Sequence, residues 1–147
     1  MSSLPMEHVR ILFVDDEPSI RETCPAILRK HHFDVTSVGT VADALAEIKS
    51  AQFNVLISDM NIGEPGDGFM IVKAMRKKYP DCVTLVLTGH PAAETALLAF
   101  RYQVDDEIVD SIVSKGEGPE TLLARIESLI ARKVGGASTK QPPSGKS

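Results

Sequence analysis

A regular alternation of short apolar runs with longer segments of helical periodicity is the feature that most constrains how this chain can fold. Five runs have the composition of buried strands: residues 10–14, 34–38, 55–59, 83–87 and 111–114. Each run is followed by a segment whose apolar residues favour a helix. Because right-handed crossovers place helices on both faces of a parallel sheet, the pattern predicts a three-layer α/β domain.

Local signals set the expected limits of the helices. Pro18 suits the first turn of a helix over 18–30, and Pro25 in its interior predicts a kink. Thr40 is expected to cap the second helix, and Pro119 to begin the last one. The residues predicted to face inward are Val41, Ala44, Leu45 and Ile48 in the second helix, Ile71, Val72, Met75 and Tyr79 in the third, and Leu122, Leu123, Ile126, Leu129 and Ile130 in the last.

Three further segments lie between the second and the last predicted helix. A third helix, over 69–79, carries a basic cluster that we expect to be a solvated face, formed by Lys73, Arg76, Lys77 and Lys78. A fourth helix is predicted from Pro91 through about residue 100. The acidic stretch 103–110 is left open between a loop, an extra helical turn and an extension of its neighbours.

Length and composition favour one domain over residues 9–133, with a polar lead at 1–8. From Gly135 onward the chain is rich in Gly, Ser, Lys and Pro, so residues 134–147 are predicted to be a disordered tail or the start of a linker. The net charge of -4 argues against direct nucleic-acid binding and against an anionic membrane surface. With neither a long apolar span nor a signal core, the expected location is the cytoplasm. Cys24 and Cys82 lack metal-ligand spacing.

Polar residues stand where the predicted strands end. Asp15 and Asp16 follow the first strand, Asp59 ends the third, Thr88 follows the fourth, and Lys115 follows the fifth. The carboxyl ends of parallel strands share one edge of the sheet, which is where ligands bind in such folds. Any one of these residues has a plain structural explanation, but together they predict a functional site.

The chemistry of this set suits transfer of a phosphoryl group onto a carboxylate. Clustered acids are stabilised by a hard divalent cation, so Asp15 or Asp16 together with Asp59 would hold Mg²⁺. The Lys115 ammonium and the Thr88 hydroxyl would each meet a phosphoryl oxygen. Asp59 would be the nucleophile and would become an aspartyl phosphate.

These residues resemble, in type, order and position, the site of the receiver domain of two-component response regulators. The resemblance covers about residues 9–133 and implies a doubly wound, flavodoxin-like (βα)5 sheet of strand order 2-1-3-4-5. It implies a histidine kinase or histidine phosphotransfer protein as the phosphoryl donor in a phosphorelay. It also implies that the Asn61 backbone carbonyl is a ligand to Mg²⁺. The resemblance points to a domain that phosphorylates and dephosphorylates itself, and not to a conventional enzyme.

The sequence departs from that family at three places. The loop at 62–68 is rearranged and longer than usual. Ile112 stands where the family usually has an aromatic residue that moves with the threonine, and Gly116 stands where a cis proline is common after the lysine. Together with the long stretch 103–110, these differences predict that phosphorylation is read out through the loops or through the altered connection into the fifth strand.

Four interpretations follow. The leading one is a stand-alone receiver, similar to chemotaxis regulators, that signals to an unknown protein target by altered protein–protein contacts, with homodimerisation left open. The alternatives are a pseudo-receiver that binds its partner without phosphorylation, and the receiver fragment of a longer regulator. A phosphatase with an Asp nucleophile usually needs a second acid close by, and Met60-Asn61 offers none.

Overall fold

A parallel sheet of five strands, in the order β2-β1-β3-β4-β5, forms the middle layer of the molecule. The computed structural model describes residues 9–64, 66–89 and 109–139, with side chains described as far as Lys133. The strands are β1 (Arg10–Val14), β2 (Asp34–Val38), β3 (Val55–Asp59), β4 (Val83–Thr88) and β5 (Ser111–Ser114). The predicted fold class and strand order are confirmed, and β4 extends one residue beyond its predicted end to include Thr88.

Helices cover both faces of this sheet. They are α1 (Pro18–Lys30), α2 (Val41–Ser50), α3 (Asp67–Lys78) and a C-terminal helix, α4 (Pro119–Thr139), which a short 3-10 turn at Lys115–Glu117 precedes. The helix predicted near residues 91–100, most of the stretch 103–110 and the N-terminal lead lie outside the described residues. None of the helices in the described ranges is long and apolar enough to cross a membrane.

The alternation of side chains along each strand divides the core in two. On one face Ile11 and Phe13 of β1 belong to the cluster covered by α1 and α4, and on the other face Leu12 and Val14 belong to the cluster covered by α2 and α3. The five apolar residues predicted to face inward from α4 are all buried. The strands β1, β3 and β4 are buried on both faces, which is why their runs are nearly continuously apolar.

Some predicted details of the helices are confirmed and others are wrong. Thr40 caps α2, where its hydroxyl oxygen accepts from Asp43 N at 3.0 Å. Leu45 was predicted to face inward, but it is 38% exposed because the buried stripe of α2 is limited to Ala44 and Ile48. The helix α4 continues past Lys133 to Thr139.

The predicted solvated face of α3 is confirmed for Lys73, Lys77 and Lys78, which are exposed, and is wrong for Arg76. Arg76 is only 18% exposed and forms an ion pair with Asp110 at 3.0 Å. Lys78 Nζ donates to the carbonyl oxygens of Ile48 at 2.6 Å and Lys49 at 3.0 Å, at the C-terminal end of α2. A cation there interacts favourably with the helix dipole. These side chains therefore stabilise the fold.

Candidate functional site

The strand register brings the predicted site residues to one edge of the sheet. Val14 of β1 pairs with Ser58 of β3, so the residues that follow them, Asp15 and Asp59, emerge side by side. Carboxylate oxygens of Asp15, Asp16 and Asp59 all lie within 4.8 Å of one another. Asp15 is fully buried and Asp59 is 5% exposed, whereas Asp16 is exposed. The structure thus assembles the three acids that the strand-end positions predicted.

Lys115 lies among these acids. Its Nζ donates to Asp59 Oδ2 at 3.1 Å and lies 3.2 Å from Asp15 Oδ2 and 3.3 Å from Glu17 Oε1. The contact with Asp15 is an ion pair without hydrogen-bond geometry, because Asp15 Oδ2 accepts no hydrogen bond from the described residues. The other oxygen of Asp15 accepts from Glu17 N at 2.9 Å. One ammonium group is therefore shared among several carboxylates.

The pKa values report this shortage of positive charge. Burial, followed by the charge of Asp15, raises the pKa of Asp59 to about 6, although Lys115 acts in the opposite direction. Burial also raises the pKa of Asp15. Burial alone would lower the pKa of Lys115, but the charge of Asp59 and their hydrogen bond, with Asp15 adding to them, raise it above its usual value. Additional positive charge at this position would stabilise the ionised acids.

Mg²⁺ fits this group of residues. It prefers one or two carboxylates, with carbonyl oxygens and waters completing its shell. The buried Asp15 Oδ2, which lacks a hydrogen bond from the described residues, and the nearby oxygens of Asp16 and Asp59 form such a donor set. The predicted fourth ligand, Asn61, lies two residues after Asp59, and its N–H donates to Asp59 Oδ1 at 3.4 Å.

The loop after Asp59 is held close to the acids by its own polar groups. Gly63 N donates to Asp16 Oδ2 at 3.3 Å, and Gly66 N donates to Asn61 Oδ1 at 2.9 Å. Within the same loop, Ile62 and Glu64 pair with each other in an isolated antiparallel β-bridge. The rearranged loop is thus folded against the exposed acid Asp16.

Gly68 is a site residue that sequence reasoning missed. A Cβ atom at Gly68 would collide with the backbone carbonyl oxygen of Asp59, and Gly68 N donates to Met60 O at 2.9 Å. The first turn of α3 therefore packs directly on the backbone that carries Asp59, which only glycine permits. The three glycines at 63–68 were the available signal, but they indicated only a turn-rich loop.

Thr88 ends β4 at the same edge and is 1% exposed. Its register partner on β5 is Ser114, directly before Lys115, and Met60 N donates to the carbonyl oxygen of the preceding Leu87 at 2.8 Å. Of the two departures near Lys115, Ile112 is partly buried against the core beneath α2 and α3. Gly116 lies in the 3-10 turn, where its N–H donates to Ser114 Oγ at 3.2 Å.

Residues 11–127 match the family model described as response regulator receiver domain. The chain belongs to the receiver domain family. Receivers are the regulated half of two-component systems: they bind Mg²⁺ in an acidic pocket and exchange phosphoryl groups with histidine kinases or phosphotransfer proteins, and they are not a class of conventional enzymes.

Bacterial regulators are among the relatives of this receiver. It is 30% identical over 119 residues to the photosynthetic apparatus regulatory protein RegA of Cereibacter sphaeroides. The aligned region covers 81% of this chain and 63% of RegA. It is 27% identical to the DNA-binding transcriptional activator DevR/DosR of Mycobacterium tuberculosis, over 92% of this chain and 67% of that protein. The receiver thus spans less than two thirds of RegA.

Solved receivers have the same architecture. A response regulator receiver protein from Sinorhizobium medicae superimposes with a TM-score of 0.73 at 26% identity, covering 88% of this chain and 99% of that one. The response regulator TrrA of Thermotoga maritima, solved in complex with Mg²⁺-BeF, superimposes with a TM-score of 0.68 at 25% identity, covering 82% and 98%.

Proposed function

We propose that this receiver accepts a phosphoryl group on Asp59 from a histidine kinase or histidine phosphotransfer protein, in a reaction that requires Mg²⁺. The observation that carries the proposal is that the carboxylates of Asp15, Asp16 and Asp59 converge, while the Lys115 ammonium is shared between Asp15 and Asp59. Asp59 is the last residue of β3 and is 5% exposed, so the strand holds its carboxylate in a fixed orientation toward an incoming donor.

In the proposed reaction an oxygen of Asp59 attacks phosphorus. A P–O bond to the carboxylate forms while the P–N bond of a phosphohistidine breaks, and the proton needed by the departing imidazole comes from water. Asp15, Asp16, Asp59 and the Asn61 backbone carbonyl would hold Mg²⁺, which when bound neutralises charge on the phosphoryl oxygens. Lys115, already bonded to Asp59 at 3.1 Å, would move to a phosphoryl oxygen as charge develops there, and Thr88 would donate to another.

The later loss of the phosphoryl group would be hydrolysis of the acyl phosphate by water, with Asp59 as the leaving carboxylate. Signalling would then follow from altered contacts with a protein target, without direct binding to nucleic acid. We propose a cytoplasmic, stand-alone receiver for this role. The name of the relative DevR/DosR supports the alternative that this receiver belongs to a longer DNA-binding regulator.

Intact mass after incubation with Mg²⁺ and acetyl phosphate tests the proposal. The native chain should gain one phosphoryl group, and Asp59→Asn should gain none. Asp34→Asn changes an exposed acid at the start of β2 and should behave as the native chain does. Gain by Asp59→Asn as well would place the acceptor elsewhere and overturn the assignment.

A pseudo-receiver is the second candidate, and Ile112 with Gly116 supports it. Both differ from the family pattern close to Lys115, and Ile112 lacks the aromatic ring expected there. This candidate predicts no mass gain in the native chain in the same experiment, together with unchanged partner binding in Asp59→Asn.

A further inference from the structure

The side chain of Arg21, in α1, contacts two loops at the carboxyl edge of the sheet: the loop after β1 and the loop between β2 and α2. Its Nη1 donates to the backbone carbonyl oxygen of Asp15 at 2.8 Å. Its guanidinium also occupies the space beside Gly39, between β2 and α2, where an added Cβ would collide with Nη1 and lie 3.0 Å from Cζ. The backbone of Gly39 is not in the left-handed region, so an added Cβ there would displace the flexible guanidinium without straining the backbone.

The Arg21 bond completes the fixation of the Asp15 backbone. Asp15 N donates to Val38 O at 3.1 Å, so the end of β2 holds one side of this residue and α1 holds the other. The bonded carbonyl belongs to the peptide group that joins Asp15 to Asp16. Its orientation therefore determines the direction in which the Asp16 side chain leaves the turn.

We infer that Arg21, seated against Gly39, is a positioning residue that holds the Asp15–Asp16 peptide group so that both carboxylates face the magnesium position before the metal arrives. This inference rests on the proposed Mg²⁺-dependent function. Arg21 does not touch the reacting atoms, and it acts through the backbone of Asp15. Without the Arg21 contact, the Asp15–Asp16 turn would become ordered only when the metal binds. The conformational entropy lost at that step would weaken magnesium binding.

Electrostatics alone predicts the opposite sign. Removing a cation near an acidic cluster should tighten the binding of Mg²⁺, because less positive charge then repels the metal. Weaker binding by an uncharged variant would therefore identify positioning and not charge as the role of Arg21.

The experiment is titration of Mg²⁺ by calorimetry into the full chain and its variants, with folding checked by circular dichroism. Arg21→Gln removes the charge and the guanidinium donor and leaves only a shorter side-chain amide, whereas Gly39→Ala keeps the charge and displaces the guanidinium. Arg21→Lys restores a donor. Arg29→Gln is the matched control, because Arg29 is on the same helix and donates to a backbone carbonyl, that of Val35 at 2.9 Å, away from the acids.

Arg21→Gln should bind Mg²⁺ on the order of tenfold more weakly, the loss typical of partners that orient a ligand. Gly39→Ala should weaken binding in the same direction, and the double variant should be no weaker than Arg21→Gln, because both changes remove one contact. Arg21→Lys should recover part of the affinity, and Arg29→Gln should match the native chain. The rate of phosphorylation by acetyl phosphate should return to the native value at saturating Mg²⁺.

Native affinity or tighter binding in folded Arg21→Gln would overturn the positioning role while leaving the proposed function intact. A lower phosphorylation rate that saturating Mg²⁺ does not restore would also overturn it. Absence of Mg²⁺ binding by the native chain would overturn the proposed function and the inference together.

Discussion

Two groups of charged side chains lie at opposite ends of the same sheet, and they are partnered in different ways. At the carboxyl edge, Asp15, Asp16, Asp59 and Lys115 form what we call the carboxyl-edge cluster. At the amino ends of β4 and β5, the amino-edge cluster consists of Arg76, Thr84, Asp110 and Lys133. Both connect elements distant in sequence, but their balance of charge is reversed.

The amino-edge cluster has an excess of donors around one acid. Asp110 Oδ2 accepts from Thr84 N at 2.8 Å and from Arg76 Nη2 at 3.0 Å. Asp110 N donates back to Thr84 O at 2.9 Å, and Lys133 Nζ lies 3.7 Å from Asp110 Oδ1. These bonds fix the start of the edge strand β5 against β4 and join it to α3 and α4. The acid is fully partnered, so this cluster is a structural joint.

The carboxyl-edge cluster has the opposite composition. It holds three acids with Glu17 at its rim, and the Lys115 ammonium pairs with Asp15, Asp59 and Glu17. The pKa of Asp59 rises to about 6. The comparison shows how to tell a structural charge cluster from a functional one. A cluster that stabilises the fold satisfies its charges internally, whereas a binding site leaves a deficit that its ligand fills.

Breaking the amino-edge cluster should have the largest effect on stability. Asp110→Ala leaves Arg76, which is 18% exposed, without its carboxylate and removes an acceptor from Thr84 N. Loss of one member of a buried ion pair typically costs about 3 kcal/mol. The measurement is the free energy of unfolding from urea denaturation at pH 7.

The control is Asp34→Ala, which removes an acid from an exposed pair with Arg10 at 3.4 Å. Pairs of this kind contribute between about 0 and 1 kcal/mol. Equal losses in the two variants would contradict the structural role of the amino-edge cluster.

Neutralising Asp59 should have the opposite sign and a smaller size. Without Mg²⁺, Asp59→Asn removes a buried acid whose charge Asp15 opposes, while Lys115 keeps Asp15 and Glu17 as partners. A rise of about two pKa units corresponds to roughly 2 to 3 kcal/mol of penalty, so we expect a gain of about 2 kcal/mol at pH 8. Urea denaturation in EDTA measures it.

The pH dependence gives that prediction a second check. The folded state holds the Asp59 proton up to a pKa of about 6, whereas the ordinary pKa of an unfolded Asp is 3.8. The native chain should therefore lose stability relative to Asp59→Asn as the pH rises from about 4 to about 6, and the difference should be constant above that. A variant less stable than the native chain at pH 8 would show that Lys115 already balances the cluster.

The strands and the site residues were predicted well because both depend on local sequence pattern. The strands appeared as apolar runs, and the residues Asp15, Asp16, Asp59, Thr88 and Lys115 were identified by their place at strand ends. The strand order came from the family resemblance, because apolar periodicity contains no information on which strands are neighbours.

What the sequence missed depends on contacts between distant segments. Arg76 was expected in water because its partner Asp110 is 34 positions away. Gly68 resembled any loop glycine until its packing on the Asp59 backbone was visible. The Arg21 guanidinium lies against Gly39, a contact between two segments that no local pattern indicates. Side-chain chemistry at one position does not encode the partner that folding brings to it.

Glu17→Gln should have the smallest effect and sharpens the boundary of the carboxyl-edge cluster. Its carboxylate lies 3.3 Å from Lys115 Nζ but is 59% exposed, so water screens the pair. We expect the free energy of unfolding to change by less than about 0.5 kcal/mol. Magnesium affinity measured by calorimetry should fall by less than about threefold, because one rim charge is lost while the three acids remain. Glu22→Gln, at another exposed position on α1, is the control. A loss of magnesium affinity as large as that of Asp16→Asn would make Glu17 a metal-site residue, and the charge deficit of the cluster would then extend to the surface.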